Sequence, residues 1–76
     1  MIATVCNLAP GTNLLNIRSR PSMSGSVVRG TVRDGQEVSV LDDHVLDETG
    51  DGTVWCEIQY KDVHGWVMKS PLIIQR

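Results

Sequence analysis

Two cysteines and two histidines are the side chains with which this chain could do covalent chemistry: Cys6, Cys56, His44 and His64. A nucleophilic thiol needs an imidazole within hydrogen-bond reach and usually a third group to orient that imidazole. None of the four lies in a nucleophile motif. Cys56 alternates with Ile58 in a stretch that reads as a strand, which aims the thiol inward as a small hydrophobe. The pattern therefore predicts no catalytic residue and no enzyme. The same residues lack the closely spaced pairs of a structural zinc site. Oxygen donors at alternate positions in Asp47-Glu48-Thr49-Gly50-Asp51-Gly52 copy the start of an EF-hand loop, but Ile58 stands at the twelfth position, where a bidentate glutamate should close the ligand set. The expectation is a solvated acidic loop, with no metal and no cofactor. Cys6 and Cys56 are even in number but widely separated, and they read as two reduced thiols, at least one of them buried, in preference to a bridge.

What remains is a surface for recognition. Trp55 should face opposite to Cys56 and Ile58, and Trp66 opposite to Val67, because neighbours on a strand alternate between its two faces. Two indoles would then share the outside of the molecule. Bordered by Tyr60 or His64, they would form a shallow aromatic platform flanked by the loop from Ser19 to Ser26 and by the acidic connection, a surface suited to a peptide or sugar-peptide ligand. Trp66 has a second reading, as a structural ring that covers one end of the fold. Charge is unevenly placed: Arg18, Arg20, Arg29 and Arg33 precede the first acidic residue, Asp34, whereas Asp42, Asp43, Asp47, Glu48 and Asp51 dominate the next part of the chain. Such a bipolar surface either steers a ligand bearing both an amine and a carboxylate or complements itself between neighbouring loops. Arg18 reads equally as a ligand contact or as a brace for its own loop.

These side chains have to be positioned by strands, because no helix of ordinary length has a place in the chain. The 76 residues allow a single domain, 1–76, with one modest core. A hydrophobic content of 41% and a net charge of -2 suggest neither disorder nor a nucleic-acid partner. The apolar runs are far too short to cross a membrane, so no membrane partner is expected, and Met1-Ile2-Ala3-Thr4 lacks the regions of a secretory signal. A complete chain would therefore be cytoplasmic, and a piece of a longer exported protein would be secreted or associated with the cell wall.

An extended segment from Ile2 to Asn7 is broken by the turn formers Ala9-Pro10-Gly11-Thr12-Asn13. Leu15 and Ile17 then alternate with Asn16 and Arg18 before the polar loop from Ser19 to Ser26. A strand from Val27 to Val32, the turn Arg33-Asp34-Gly35 and a strand from Glu37 to Asp42 read as the strongest hairpin. After a longer connection from Asp43 to Thr53 come a strand from Val54 to Tyr60, a turn at Lys61-Asp62 and a strand from Val63 to Val67. Pro71 predicts one short 3-10 turn near Met68 to Pro71, followed by a last strand from Leu72 to Ile74. The sum is a small all-β barrel of mostly antiparallel strands.

The string Leu15-Asn16-Ile17-Arg18-Ser19-Arg20-Pro21-Ser22, the Val-rich strand ending in Gly30, Asp34-Gly35 before Glu37-Val38, Trp55 opening a strand, and Gly65-Trp66-Val67 together resemble the bacterial SH3 domain family over nearly the whole chain. The departures are Arg20, where the family usually has Gly, and a longer, more acidic connection before Trp55. The resemblance implies an SH3-like barrel of five to seven strands without enzymatic activity, acting as an accessory module that binds peptidoglycan, its peptide bridges or protein segments. With no Phe, one Tyr and two Trp, the chain is poorly equipped for the polyproline groove of the eukaryotic namesake. The ligand-binding residues expected on this reading are Trp55, Tyr60 and Trp66, with Arg18 or Arg20 supplying charge to a peptide or peptidoglycan fragment. A protein-interaction or assembly subunit, phage-related or self-associating, is the alternative.

Overall fold

The computed structural model describes residues 1–6 and 13–75. Its seven strands are β1 (Ile2–Val5), β2 (Leu14–Arg18), β3 (Val28–Arg33), β4 (Glu37–Leu46), β5 (Val54–Tyr60), β6 (Val63–Met68) and β7 (Leu72–Gln75). They form one antiparallel sheet in the order β3-β2-β6-β5-β4-β1-β7. Laid flat, six strand spacings would hold β3 and β7 about 29 Å apart. Yet one hydrophobic cluster takes Ala3 and Val5 from β1, Leu15 and Ile17 from β2, Val32 from β3, Val38 and Val40 from β4, Cys56 and Ile58 from β5, Val67 from β6 and Leu72 from β7. Every strand turns its apolar face to the same interior, so the sheet is coiled into a barrel. The cause is the period-2 pattern: each buried aliphatic contributes about 1.5–3 kcal/mol when withdrawn from water, and only closure withdraws all of them at once.

The hairpin of β5 and β6 matches its sequence reading. Its two-residue turn, Lys61-Asp62, places Lys61 at a φ of 53° and sets the pairs Tyr60–Val63, Gln59–His64 and Glu57–Trp66. The expected hairpin between Val27–Val32 and Glu37–Asp42 does not form. The tight turn is present, with Gly35 at a φ of 86°, but β3 pairs with β2 while β4 pairs with β1 and β5. Val5 is the reason, since its carbonyl accepts from Gly35 N at 2.7 Å and its N–H donates to Gln36 O at 2.9 Å, so β1 captures the chain just past the turn and draws β4 away. β4 also runs four residues further than expected, to Leu46. Two register shifts against β5, between Val40 and Asp42 and between Asp42 and Val45, bend it around the barrel. Before β7 the chain reverses in a turn closed by Leu72 N donating to Lys69 O at 2.9 Å, where the short 3-10 turn was expected. The predicted turn at 9–12 lies outside the described residues.

Gly65 is where β6 meets β2. A Cβ there would lie 2.5 Å from Arg18 O and 2.6 Å from Ile17 Cγ2, so the approach admits no side chain. Gly30 differs, because its nearest neighbours, the Val63 methyls, stand at an ordinary 3.5 Å. Gly65→Ala is therefore expected to destabilise the fold by about 2 kcal/mol and to lower the melting temperature by roughly 8–16 °C. Gly30→Ala is expected to stay within about 0.5 kcal/mol of the parent. Thermal unfolding followed by circular dichroism compares the two.

Candidate functional site

The outer face of the barrel is set by register. Residues paired directly across antiparallel strands project to the same side, so the pairs Arg18–Val28, Arg18–Trp66, Glu57–Trp66 and Asp42–Glu57 line up as one row over five strands: Val28, Arg18, Trp66, Glu57, Asp42. Trp66 is half-buried at the centre of that row, with a cation on one flank and two carboxylates on the other. His64, two residues before it on the same face, sets its ring edge-on to the indole, with centroids 5.3 Å apart and planes at 66°. Its Nε2 lies 2.6 Å from Glu57 Oε2, and its carbonyl accepts from Arg29 Nη1 at 3.0 Å. The indole is thus flanked by His64, which Glu57 on β5 and Arg29 on β3 fasten in turn, while part of Trp66 stays open to solvent.

Trp55 also projects to the outer side, as alternation requires, but it is not exposed. Only 1% of its surface reaches solvent. Its Nε1 donates to Asp47 Oδ2 at 2.8 Å, while Asp47 Oδ1 accepts from Thr49 N at 2.8 Å and from Thr49 Oγ1 at 2.6 Å. Asp47 is itself only 6% exposed, so the acidic connection expected to be solvated is anchored at its first residue. Those three hydrogen bonds hold its carboxyl below the ordinary carboxylate pKa of 3.8. Period-2 reasoning placed Trp55 on the correct side and missed the loop that closes over it.

The other sequence candidates separate. Tyr60 pairs with Val63 and packs against the hydrophobic core, on the face opposite Trp66, with Lys61 Nζ 5.3 Å from its ring centre. It does not border the indoles. Arg20 meets the acidic loop, its Nε donating to Glu48 Oε1 at 3.1 Å and its Nη2 lying 2.9 Å from Glu48 Oε2. Beside that pair, Glu48 N donates to Pro21 O at 3.0 Å, so two loops distant in sequence are fastened together. Arg18 braces its own loop, its Nη1 reaching Met23 O and Ser26 Oγ at 3.4 Å each, and Ser26 Oγ in turn donates to Ser22 O. Of the five candidates, the structure brings Trp66 and Arg18 together, with His64 beside them. Glu57, Asp42 and Val28 complete the row and were not foreseen. Glu57 was legible, because the two-residue turn at Lys61-Asp62 fixes its pairing with Trp66.

Cys6 and Cys56 are free thiols. Cys56 is wholly buried, and desolvation pushes its pKa up from 9.0 to about 11, with Lys69 opposing and Asp43 and Asp42 adding to the rise. Among the described residues no group of three His, Cys, Asp or Glu side chains is placed to hold a metal ion, and no helix is long and apolar enough to cross a membrane.

A small coiled β-sheet closed on one hydrophobic core, with one indole covered on its outer face and one left partly open, is the architecture of a small SH3-like β domain. The chain belongs to the bacterial SH3 domain family, whose model matches residues 12–70. Bacterial SH3 domains are generally binding modules and not catalysts. Neither the curated proteins nor the solved structures yield a match.

Asp47 and Cys56 each generate a testable outcome. A carboxylate whose pKa is lowered by folding stabilises the fold above its unfolded value and loses that contribution as pH falls below it. The wild-type protein is expected to lose stability below about pH 3.8 more steeply than Asp47→Asn, which is itself less stable at pH 7 because an amide cannot offer acceptors to both Thr49 and Trp55. Urea titrations from roughly pH 2.5 to pH 7, which span the usual carboxylate range, check this. Iodoacetamide at neutral pH is expected to leave Cys56 unmodified in the folded state and to alkylate it on unfolding, read by peptide mass mapping.

Proposed function

We propose that this domain is a non-enzymatic module that recognises a peptide or peptidoglycan fragment across the outer face of β6. One arrangement supports the reading: Trp66 stands between Arg18 and Glu57 in the five-strand row, its ring steadied by His64. An indole offers a large, rigid, amphipathic surface at little entropic cost, which suits an extended peptide or the apolar face of a sugar. Two strand spacings separate Arg18 from Glu57 at the backbone, about 10 Å. A ligand lying across the strands can therefore rest on the indole with a carboxylate toward Arg18 and an amine toward Glu57 and Asp42. Wall peptides carry both groups. Trp55 and Asp47 serve this face indirectly, by fixing the loop beside it, and Arg20 does so through Glu48. Tyr60 lies outside the proposed contact.

Sedimentation with purified peptidoglycan tests the reading. Wild-type protein is expected to co-sediment, and Trp66→Ala to lose about tenfold or more of its retention while keeping the parental circular dichroism spectrum. Equal retention of the two proteins, or none of either, would overturn it.

A further inference from the structure

The two ends of the sheet are β3 and β7, and they differ in charge. β7 reads Leu-Ile-Ile-Gln, without a charged residue, whereas β3 carries Arg29 and Arg33 on either side of Thr31, all three exposed. Among the described residues no strand pairs with the outer side of β3. Register shows which main-chain groups it presents. Asp34 N donates to Asn13 O at 3.0 Å, so Asn13 and Asp34 form a hydrogen-bonded pair, and Leu14–Arg33 and Asn16–Thr31 are the alternate, non-bonded pairs. The N–H and C=O of Thr31 and the N–H of Arg33 therefore point away from β2 into the open edge, while the Arg33 carbonyl accepts from Gln36 N at 3.1 Å and closes the turn.

We propose that the β3 edge accepts an extended acidic peptide segment, which adds as a further strand. Main-chain pairing at Thr31 and Arg33 supplies the attachment, and the arginines supply the selection. Arg20 is already neutralised by Glu48, and Arg18 belongs to the row beside Trp66 on the β6 face. Among the described residues Arg29 meets a carbonyl, that of His64, and no carboxylate, which leaves its charge for a ligand. Arg29 and Arg33 are four residues apart, about 13 Å along a strand, which matches carboxylates at positions i and i+4 of an extended partner. Another copy of β3 is rejected, because it would set arginine against arginine. Exposed Val27 and Val28 extend the edge with apolar surface.

The probe is a blocked peptide, Glu-Val-Thr-Val-Glu, added to isotopically labelled protein and followed by amide NMR and hydrogen exchange. Binding is expected to slow exchange at Thr31 and Arg33. Lys-Val-Thr-Val-Lys should bind about tenfold more weakly, the sum of two lost pairs and two repulsions. Arg29→Glu combined with Arg33→Glu should reverse that preference. The acidic peptide N-methylated at alternate residues leaves the protein untouched and should fail to bind. Trp66→Ala should bind the acidic peptide as the parent does, which separates this edge from the β6 face. Equal binding of the N-methylated peptide, or shifts at the arginine side chains without protection of the Thr31 and Arg33 amides, would overturn strand addition. Absence of any binding would overturn the site.

Discussion

A buried hydrogen bond between an indole and a carboxylate governs how this domain presents itself. Trp55 and Asp47 are both withdrawn from water, and neither polar group is left unpaired. Breaking the contact would strand a buried donor opposite a buried charge, a much larger penalty than the net gain of an ordinary hydrogen bond. The carboxylate uses both oxygens, one on Trp55 and one on Thr49, so one side chain closes its loop and fastens it to the barrel wall. Glu48, next in sequence, then holds Pro21 and Arg20. Through these links the acidic loop and the loop after β2 become a single lateral structure, anchored to the barrel wall at Trp55.

The interior sets the second condition. Gly65 lets β6 run against β2 with no side chain between them, and this approach brings Arg18 opposite Trp66. Trp66 could not occupy the centre of a five-strand row if that seam were wider. The exposed indole and the covered indole thus depend on different features: one on a glycine that removes bulk, the other on an aspartate that supplies acceptors. The charges beside Trp66 come from three strands, and so their order across the face is a property of the fold and not of any single loop.

Much of this was legible in the residues. The inward set of Leu15, Ile17, Val38, Val40, Cys56, Ile58 and Val67 follows from period-2 alternation, and the two-residue turn at Lys61-Asp62 carries the register that pairs Glu57 with Trp66. Alternation reports which side a residue takes but is silent about what lies over that side. That is why Trp55 was expected in solvent, and why Asp47, one of several acidic residues in a loop, gave no local sign of being the one that folds inward. The turn at Asp34-Gly35 was equally clear from its chemistry, yet turn chemistry does not name the partners of the flanking strands. Val5, some thirty residues earlier, decides that by taking the main chain of Gly35 and Gln36. The core contact of Tyr60 and the loop-to-loop ion pair of Arg20 gave no local sign for the same reason, since both are long-range.

The unequal roles of the two tryptophans are tested most directly by their indole N–H resonances, followed by exchange with deuterated water and by titration with solubilised cell-wall fragments. The Trp55 signal should exchange slowly and stay in place, and the Trp66 signal should exchange quickly and move with ligand. A Trp55 signal that exchanges as fast as that of Trp66, or that is the one to move, would contradict the assignment of one indole to the fold and the other to recognition.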